Sequence, residues 1–277
     1  MITIKDICNI EEYEKMPWSL HGGSHFTKPP YMDIEKLSKV PYGNRSQNYG
    51  EFYELTEYLK IVGSIKSKGK LLDAGAGCGS LSFLFSKLGW KVTAFDWDKN
   101  AFQFNQGIFF QGNLNQLLPF NENEFDCITC KQTIEHLENP NHLAREFSRI
   151  LKPGGIVIIS TPNTISIKSR VQFLLKGYPA FFSDEYWNEH RTIIHFRQLA
   201  NMLEGNGFDQ FRYNTNRYEW FNFSSAANGK RMKFIAPLSR LFIRDNFPDS
   251  MRYGQFLILS SIKKNIEIEP SMLQLEV

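Results

Sequence analysis

The sequence predicts an α/β fold, a parallel sheet with helices on both faces. Three observations carry this. From about residue 68 to 263, short β-prone segments alternate with helical ones, the pattern of strand–helix–strand crossovers. IVIIST at 156–161 is almost wholly apolar, as a strand buried on both faces must be. A glycine-rich turn, LLDAGAGCGS at 71–80, leaves one strand and opens one helix.

The elements follow in order. Residues 1–67 form an N-terminal arm and helix. The arm is irregular to about residue 50, with turn signals at His21-Gly22-Gly23, Pro29-Pro30 and Pro41-Tyr42-Gly43. Over 51–67, Phe52, Leu55, Leu59 and Val62 recur at helical spacing. KLLDAG (70–75) reads as a strand, SLSFLFSKL (80–88) as a helix closed by Gly89, and WKVTAFD (90–96) as a strand. Residues 99–106 suit a short helix, IFFQGN (108–113) a weaker strand and FDCITCKQ (125–132) a strand. NHLAREFSRIL (141–151) is an amphipathic helix stopped by Pro153-Gly154-Gly155. FRQLANMLEGNG (196–207) is a helix with a glycine stop, and FDQFRYNTNRYEWFNF (208–223) and YGQFLILSSIKK (253–264) are strand-like. The core domain thus spans 68–263 with insertions at 164–192 and 224–250, and 264–277 reads as a tail. The first insertion leaves the end of a strand, where α/β sheets bind ligands, so it and the arm are expected to form a cover over the pocket.

Composition narrows the class. Apolar residues make up 42% and charged residues 22% of the 277, enough apolar surface for a folded core. Aromatic content is 14%, with 24 Phe, suited to a deep core or a greasy pocket. A net charge of +3 is too small to argue for a nucleic-acid partner. No apolar run approaches the about 18 residues of a membrane span. The start, MITIKDICNIEEYEK, is acidic and mixed rather than a signal peptide, so a cytoplasmic location is expected. Cys127 and Cys130 form a C-x-x-C, but three residues apart in a strand they point to opposite faces and cannot share a ligand.

The glycine turn carries the first chemical signal. Its glycines allow tight curvature and close approach of a ligand to the backbone, at a helix start that favours a negative group. Asp73 stands just before the first glycine. A carboxylate there repels a pyrophosphate and welcomes a cation, which fits S-adenosylmethionine better than a dinucleotide; the alternative is an acid that only caps the turn. Asp96 ends the next strand, about 20 residues on, where a ribose diol is gripped. Trp97 beside it can cover an adenine face. The alternative is a helix cap, a task Asp98 and Asn100 also suit.

These motifs resemble a class I S-adenosylmethionine-dependent methyltransferase, of the ubiquinone/menaquinone-biosynthesis-like group. LLDAGAGCGSLS is similar to the family's first motif and AFDWD to its ribose-binding strand. The run from Phe110 to Pro140 resembles its adenine-binding turn and fourth strand, EFSRILKPGGIVIISTPN its next helix and strand, and HFRQLANMLEGNGFD its closing helix. The resemblance implies a Rossmann-like seven-stranded sheet, six strands parallel and the last, YGQFLILSSI, antiparallel. It implies S-adenosylmethionine as cofactor, held by Asp73, Gly75, Ala76, Gly77, Asp96, Trp97, Asn113 and Leu114, and near Lys131 and Gln132. Asn113 stands where the family usually has Asp; its amide oxygen can still accept from the adenine amino group.

Methyl transfer mainly needs alignment and exclusion of water, with a general base where the acceptor is a hydroxyl. His136 follows the fourth strand and is the candidate base; a histidine that only packs at a helix start is the alternative. His190 and His195 flank the end of the first insertion, and His21 and His25 sit in the arm. Tyr42, Arg45 and Tyr49 could reach the cofactor carboxylate or be structural. Some quinone-pathway relatives carry Glu-x-x-Glu-His after this strand, able to hold a metal. Here Gln132 replaces the first acid, so activity is expected to be independent of a divalent cation. Lys230, Arg231, Lys233, Arg240 and Arg244 in the second insertion suit an anionic substrate, a membrane surface or plain solvation.

Three functions remain at this point: methyl transfer to a small-molecule acceptor through oxygen, methyl transfer to a macromolecule such as RNA, or cofactor binding without catalysis. The weak net charge, and CKQTIEH in place of an Asn/Asp-Pro-Pro-Tyr signature, weigh against the second. The oligomeric state is not legible.

Overall fold

The computed structural model describes residues 4–17, 49–183, 189–215, 251, 254 and 256–265. His21, His25, Tyr42, Arg45, the 224–250 insertion and the tail beyond residue 265 lie outside them.

The chain begins with two short helices, α1 (Ile4–Ile7) and α2 (Ile10–Glu14). Asn9 caps α2: its Oδ1 accepts from Glu12 N at 2.9 Å, and its own N donates to the Glu12 carboxylate at 3.0 Å. Helix α3 (Tyr49–Ser64) buries Leu55, Leu59 and Val62 of the expected stripe and Tyr58 beside them, while the Phe52 side chain lies outside the described residues. Seven strands follow: β1 (Lys70–Ala74), β2 (Lys91–Asp96), β3 (Ile108–Gln111), β4 (Phe125–Lys131), β5 (Leu151–Pro162), β6 (Phe208–Thr215) and β7 (Phe256–Lys263). Helix α4 (Ser80–Lys87) links β1 to β2, α5 (Pro140–Ile150) links β4 to β5, and α6 (Ile167–Lys176) and α7 (Phe196–Glu204) lie between β5 and β6.

The sheet order is β3-β2-β1-β4-β5-β7-β6. The pairs from β3 across to β5 are parallel, and β7 runs antiparallel to both β5 and β6. This is the mostly parallel seven-stranded sheet expected. Alternate residues serve opposite faces. Leu71, Val92, Cys127 and Ile158 pack with α1, α3 and α4, whereas Leu72, Phe95, Ile128 and Ile159 pack with α5 and α7. The C-x-x-C is split in the same way: Cys127 lies in one cluster and Cys130 in the other. Both thiols are buried and free, and burial pushes their pKa upward, so they are inert core groups.

Two expectations are corrected. Residues 99–106 form no helix. A helix would send Phe102 and Phe104 to different sides, but both close on the corner at Gly79, where a Cβ would lie 2.8 Å from each side chain. Phe104 also meets Phe83 edge-on at 6.0 Å, and Phe102 stacks near Phe109 at 4.6 Å. Packing of aromatic rings decides this segment over local propensity. Helix α5, in turn, ends before the Pro-Gly-Gly stop: Leu151 is already extended and pairs with Phe125, and β5 runs through Pro153 with an irregularity opposite Phe125 and Cys127. Pro153 restricts only Lys152 before it, and it is the pairing of Leu151 with Phe125 that draws the chain out of the helix one residue earlier.

No helix among the described residues is long and apolar enough to cross a membrane.

Candidate active site

The C-terminal ends of β1, β2 and β4 meet at the glycine turn. Gly75, Gly77 and Gly79 have φ of 74°, 51° and 90°, a left-handed run that a side chain would strain. Gly75 N and Ala76 N donate to Phe95 O at 2.8 and 3.2 Å, tying the turn to β2. A Cβ on Gly75 would stand 2.2 Å from Thr133 Oγ1, so the turn also abuts the chain leaving β4. A Cβ on Gly77 would meet nothing within 4 Å, which leaves an open cradle over the start of α4.

Asp73 does not face this cradle directly. Its carboxylate is 1% exposed and accepts from Ser82 Oγ at 2.6 Å and Thr129 Oγ1 at 3.1 Å. Burial pushes its pKa up to about 6 against the pull of these hydroxyls, so it is mostly anionic at neutral pH. Asp96 closes the turn from the other side: Oδ2 accepts from Gly77 N at 2.8 Å and Oδ1 from Asp98 N at 3.0 Å. Each carboxylate oxygen retains capacity for a further donor. Asp98 makes the local turn by accepting from Asn100 N at 2.9 Å.

Trp97 is 74% exposed beside Asp96, a bare indole face at the sheet end. Asn113 is engaged locally: its Oδ1 accepts from Asn115 N at 2.9 Å and from Asn115 Nδ2 at 3.2 Å. The expected bond from an adenine amino group would compete with these. The Leu114 side chain is 6% exposed and belongs to the core, so only its backbone can serve a ligand.

On the β4 side lies a polar cluster of which the sequence reading named only Lys131 and Gln132, missing Glu54 and Tyr58. Gln132 has φ 45°, rare outside glycine, and its N donates to Ser160 O at 3.1 Å. Its Nε2 donates to Glu54 Oε1 at 2.8 Å, and Lys131 Nζ is 3.6 Å from Glu54 Oε2. Tyr58 OH donates to Cys130 O at 3.1 Å and shares a bond with Ser160 Oγ at 3.0 Å. The readable signal was an acid on the buried stripe of α3; its partners could not be read.

Beyond Thr133 a 3₁₀ turn (Ile134–His136) carries the candidate base. His136 Nδ1 donates to Glu189 O at 2.7 Å; since a carbonyl only accepts, the neutral ring carries its lone pair on Nε2. His190 Nδ1 likewise donates to Phe181 O, and burial lowers its pKa. The His136 and His190 rings meet edge-on at 4.8 Å. Glu135 is 0% exposed, and burial pushes its pKa up to about 8. Glu135, His136 and His190 each bring one ligand-type atom within 4.8 Å of the others, so tertiary structure adds a third member to the two side chains counted from sequence. His195 instead caps α7, accepting from Arg197 N at 3.3 Å.

The N-terminal segment reaches the same edge. Ser80 Oγ, at the start of α4, donates to Pro17 O at 2.6 Å, and Lys87 pairs with Glu12.

The chain is similar in sequence and in fold to known proteins. Residues 48–211 match the family described as a methyltransferase domain. A ubiquinone biosynthesis O-methyltransferase of Coxiella burnetii is 32% identical over 157 residues, 53% of this chain and 67% of that protein. One of Alkalilimnicola ehrlichii is 32% identical over 113 residues, 38% of this chain; the match spans 45% of that relative's length. Among solved structures, a SAM-dependent methyltransferase from Archaeoglobus fulgidus aligns with TM-score 0.57 at 17% identity, over 83% of this chain and all of that one. A [4+2]-cyclase aligns with TM-score 0.53 at 16% identity, over 81% of this chain and 86% of that one.

Proposed function

This chain belongs to the methyltransferase-domain family, and from that premise we propose that it transfers a methyl group from S-adenosylmethionine to a hydroxyl oxygen of a small-molecule acceptor. The named activity of the Coxiella and Alkalilimnicola relatives supports oxygen as the receiving atom. The observation that carries the reading is the cradle at Gly77: an open backbone corner, tied to Asp96 at 2.8 Å and flanked by a bare Trp97. It fits a nucleoside with its diol on Asp96 and its base against the indole. The buried acids Asp73 and Glu54 favour a cationic rather than a phosphate-bearing extension.

Bound S-adenosylmethionine supplies a methyl group already activated by its sulfonium. The protein's part is to orient and to manage one proton. Asp96, Trp97 and the Leu114 backbone hold the adenosyl end, Asp73 sets the local potential, and Lys131 and Gln132 line the β4 side. His136 takes the acceptor proton on Nε2, while its Nδ1–H bond to Glu189 O fixes the tautomer. The Pro17 contact holds the end of the segment 4–17 at the start of α4, beside the glycine turn, where it helps to exclude water.

The test is a turnover screen over hydroxylated small molecules, read as release of S-adenosylhomocysteine. Turnover of a phenol or sugar hydroxyl is the expected result. Binding of S-adenosylmethionine without turnover of any acceptor would favour the binding-module reading. Salt-sensitive methylation of RNA would favour the macromolecular one.

A further inference from the structure

Glu54 is 0% exposed on α3, and beyond its negative charge it has been given no part in the site above. A carboxylate on the apolar face of a helix is costly unless it is paired and hydrogen-bonded. Gln132 and Lys131, which meet it, both sit where β4 leaves the sheet. Gln132 Nε2 donates to Oε1 at 2.8 Å, across 78 residues of chain, and Lys131 Nζ lies 3.6 Å from Oε2.

This grip bears on the part of the site least able to hold itself. Gln132 is in left-handed backbone, φ 45°, a conformation that persists only where the surroundings over-determine it. Ser160 holds its main chain and Glu54 its side chain. Thr133, the next residue, occupies the space a Cβ on Gly75 would need, at 2.2 Å. A shift of 131–133 is therefore felt at once by the glycine turn. Lys131 also lies in the fields of Asp73 and Glu135, so Glu54 helps fix a cation among three acids.

The sheet order separates this edge from the nucleoside side. β2, bearing Asp96 and Trp97, flanks β1 on one side, and β4 flanks it on the other. A ligand with its ribose on Asp96 must send its remaining end across the glycine turn, toward β4. We propose that Glu54 is a positioning residue for the methionine end of the cofactor: through Gln132 and Lys131 it sets the β4 wall of the crevice, while the adenosyl end is held without it. The proposal rests on the cofactor assignment above.

The experiment compares two ligands by calorimetry. S-adenosylmethionine carries the methionine end, and 5′-methylthioadenosine lacks it. Glu54→Gln keeps an acceptor for Gln132 but removes the charge that holds Lys131, leaving the lysine to repel the ligand's cationic groups. Its Kd for S-adenosylmethionine rises about tenfold, the worth of roughly one lost charge-assisted contact, and its Kd for 5′-methylthioadenosine stays within about twofold of the parent. Gln132→Asn carries the same expectation should Glu54→Gln fail to fold, because Asn tolerates left-handed backbone yet is one methylene short of Glu54. Equal weakening of both ligands would mark a merely structural role and overturn the proposal. Unchanged binding of S-adenosylmethionine in a variant, with the parent binding it, would overturn the proposal alone. A parent protein that binds neither ligand would overturn the cofactor assignment and the proposal with it.

Discussion

Glu135 gives the most direct test of the electrostatics at the end of β4. Its carboxyl is fully enclosed, with only its own backbone N–H and the Thr161 hydroxyl beside it to favour the charged form by hydrogen bonding. Burial is the largest cause of its raised pKa, Glu54 adds to the rise, and Thr161 and Lys131 oppose it. The folded value is about 8 against an ordinary 4.5. Between these values the folded state holds a proton that the unfolded chain releases. Stability therefore falls as pH rises from about 4.5 and levels off above about 8. At about 1.4 kcal/mol per unit the full effect has a ceiling of roughly 5 kcal/mol, and a loss of about 2–4 kcal/mol is expected once the site relaxes. Glu135→Gln keeps the shape of the neutral acid without the proton. Its urea unfolding free energy, measured from pH 5 to 9, should lose much less with rising pH than the parent's. The difference should be largest at pH 9. Asp73, raised to about 6, contributes its own decline at lower pH in both proteins, so the difference isolates Glu135. Parallel curves for the two proteins would show that Glu135 is charged and accommodated in the fold, and would refute the reasoning.

Three further outcomes are expected. Asp96→Ala should weaken S-adenosylmethionine by about 1.5–3 kcal/mol, the worth of a charged hydrogen-bond partner; unchanged affinity in calorimetry would remove Asp96 from the ribose. His136→Ala should lower kcat by about 10²–10⁴-fold with little change in cofactor affinity; full activity would leave alignment alone to carry the reaction. Turnover should survive exhaustive EDTA, because Glu135 is mostly protonated at neutral pH and two imidazoles with a neutral acid suit magnesium poorly; loss restored by zinc or magnesium would make Glu135, His136 and His190 a metal site.

What was legible in the sequence was whatever depends on neighbours along the chain. The stripe on α3, the apolar run of β5 and the positive-φ glycines after β1 are local patterns, and each appears where its spacing placed it. Asp96 and Trp97 were readable too, because a strand tip is set by the strand that precedes it. Local reading failed at 99–106, where two Phe rings seek the same corner at Gly79, and at Pro153, where pairing with β4 draws the chain out of α5 early.

Tertiary structure decided the partners of the buried polar groups. Nothing near Asp73 in sequence announces Thr129, and nothing near Gln132 announces Glu54; β1 and β4 become neighbours only through the sheet order, and α3 lies over both. The same holds for His190, which meets His136 because the chain after β5 folds back and Arg191 N and Thr192 N donate to Glu135 O. A buried charge must find a partner wherever the fold provides one, and strand adjacency, not chain adjacency, is what provides it here.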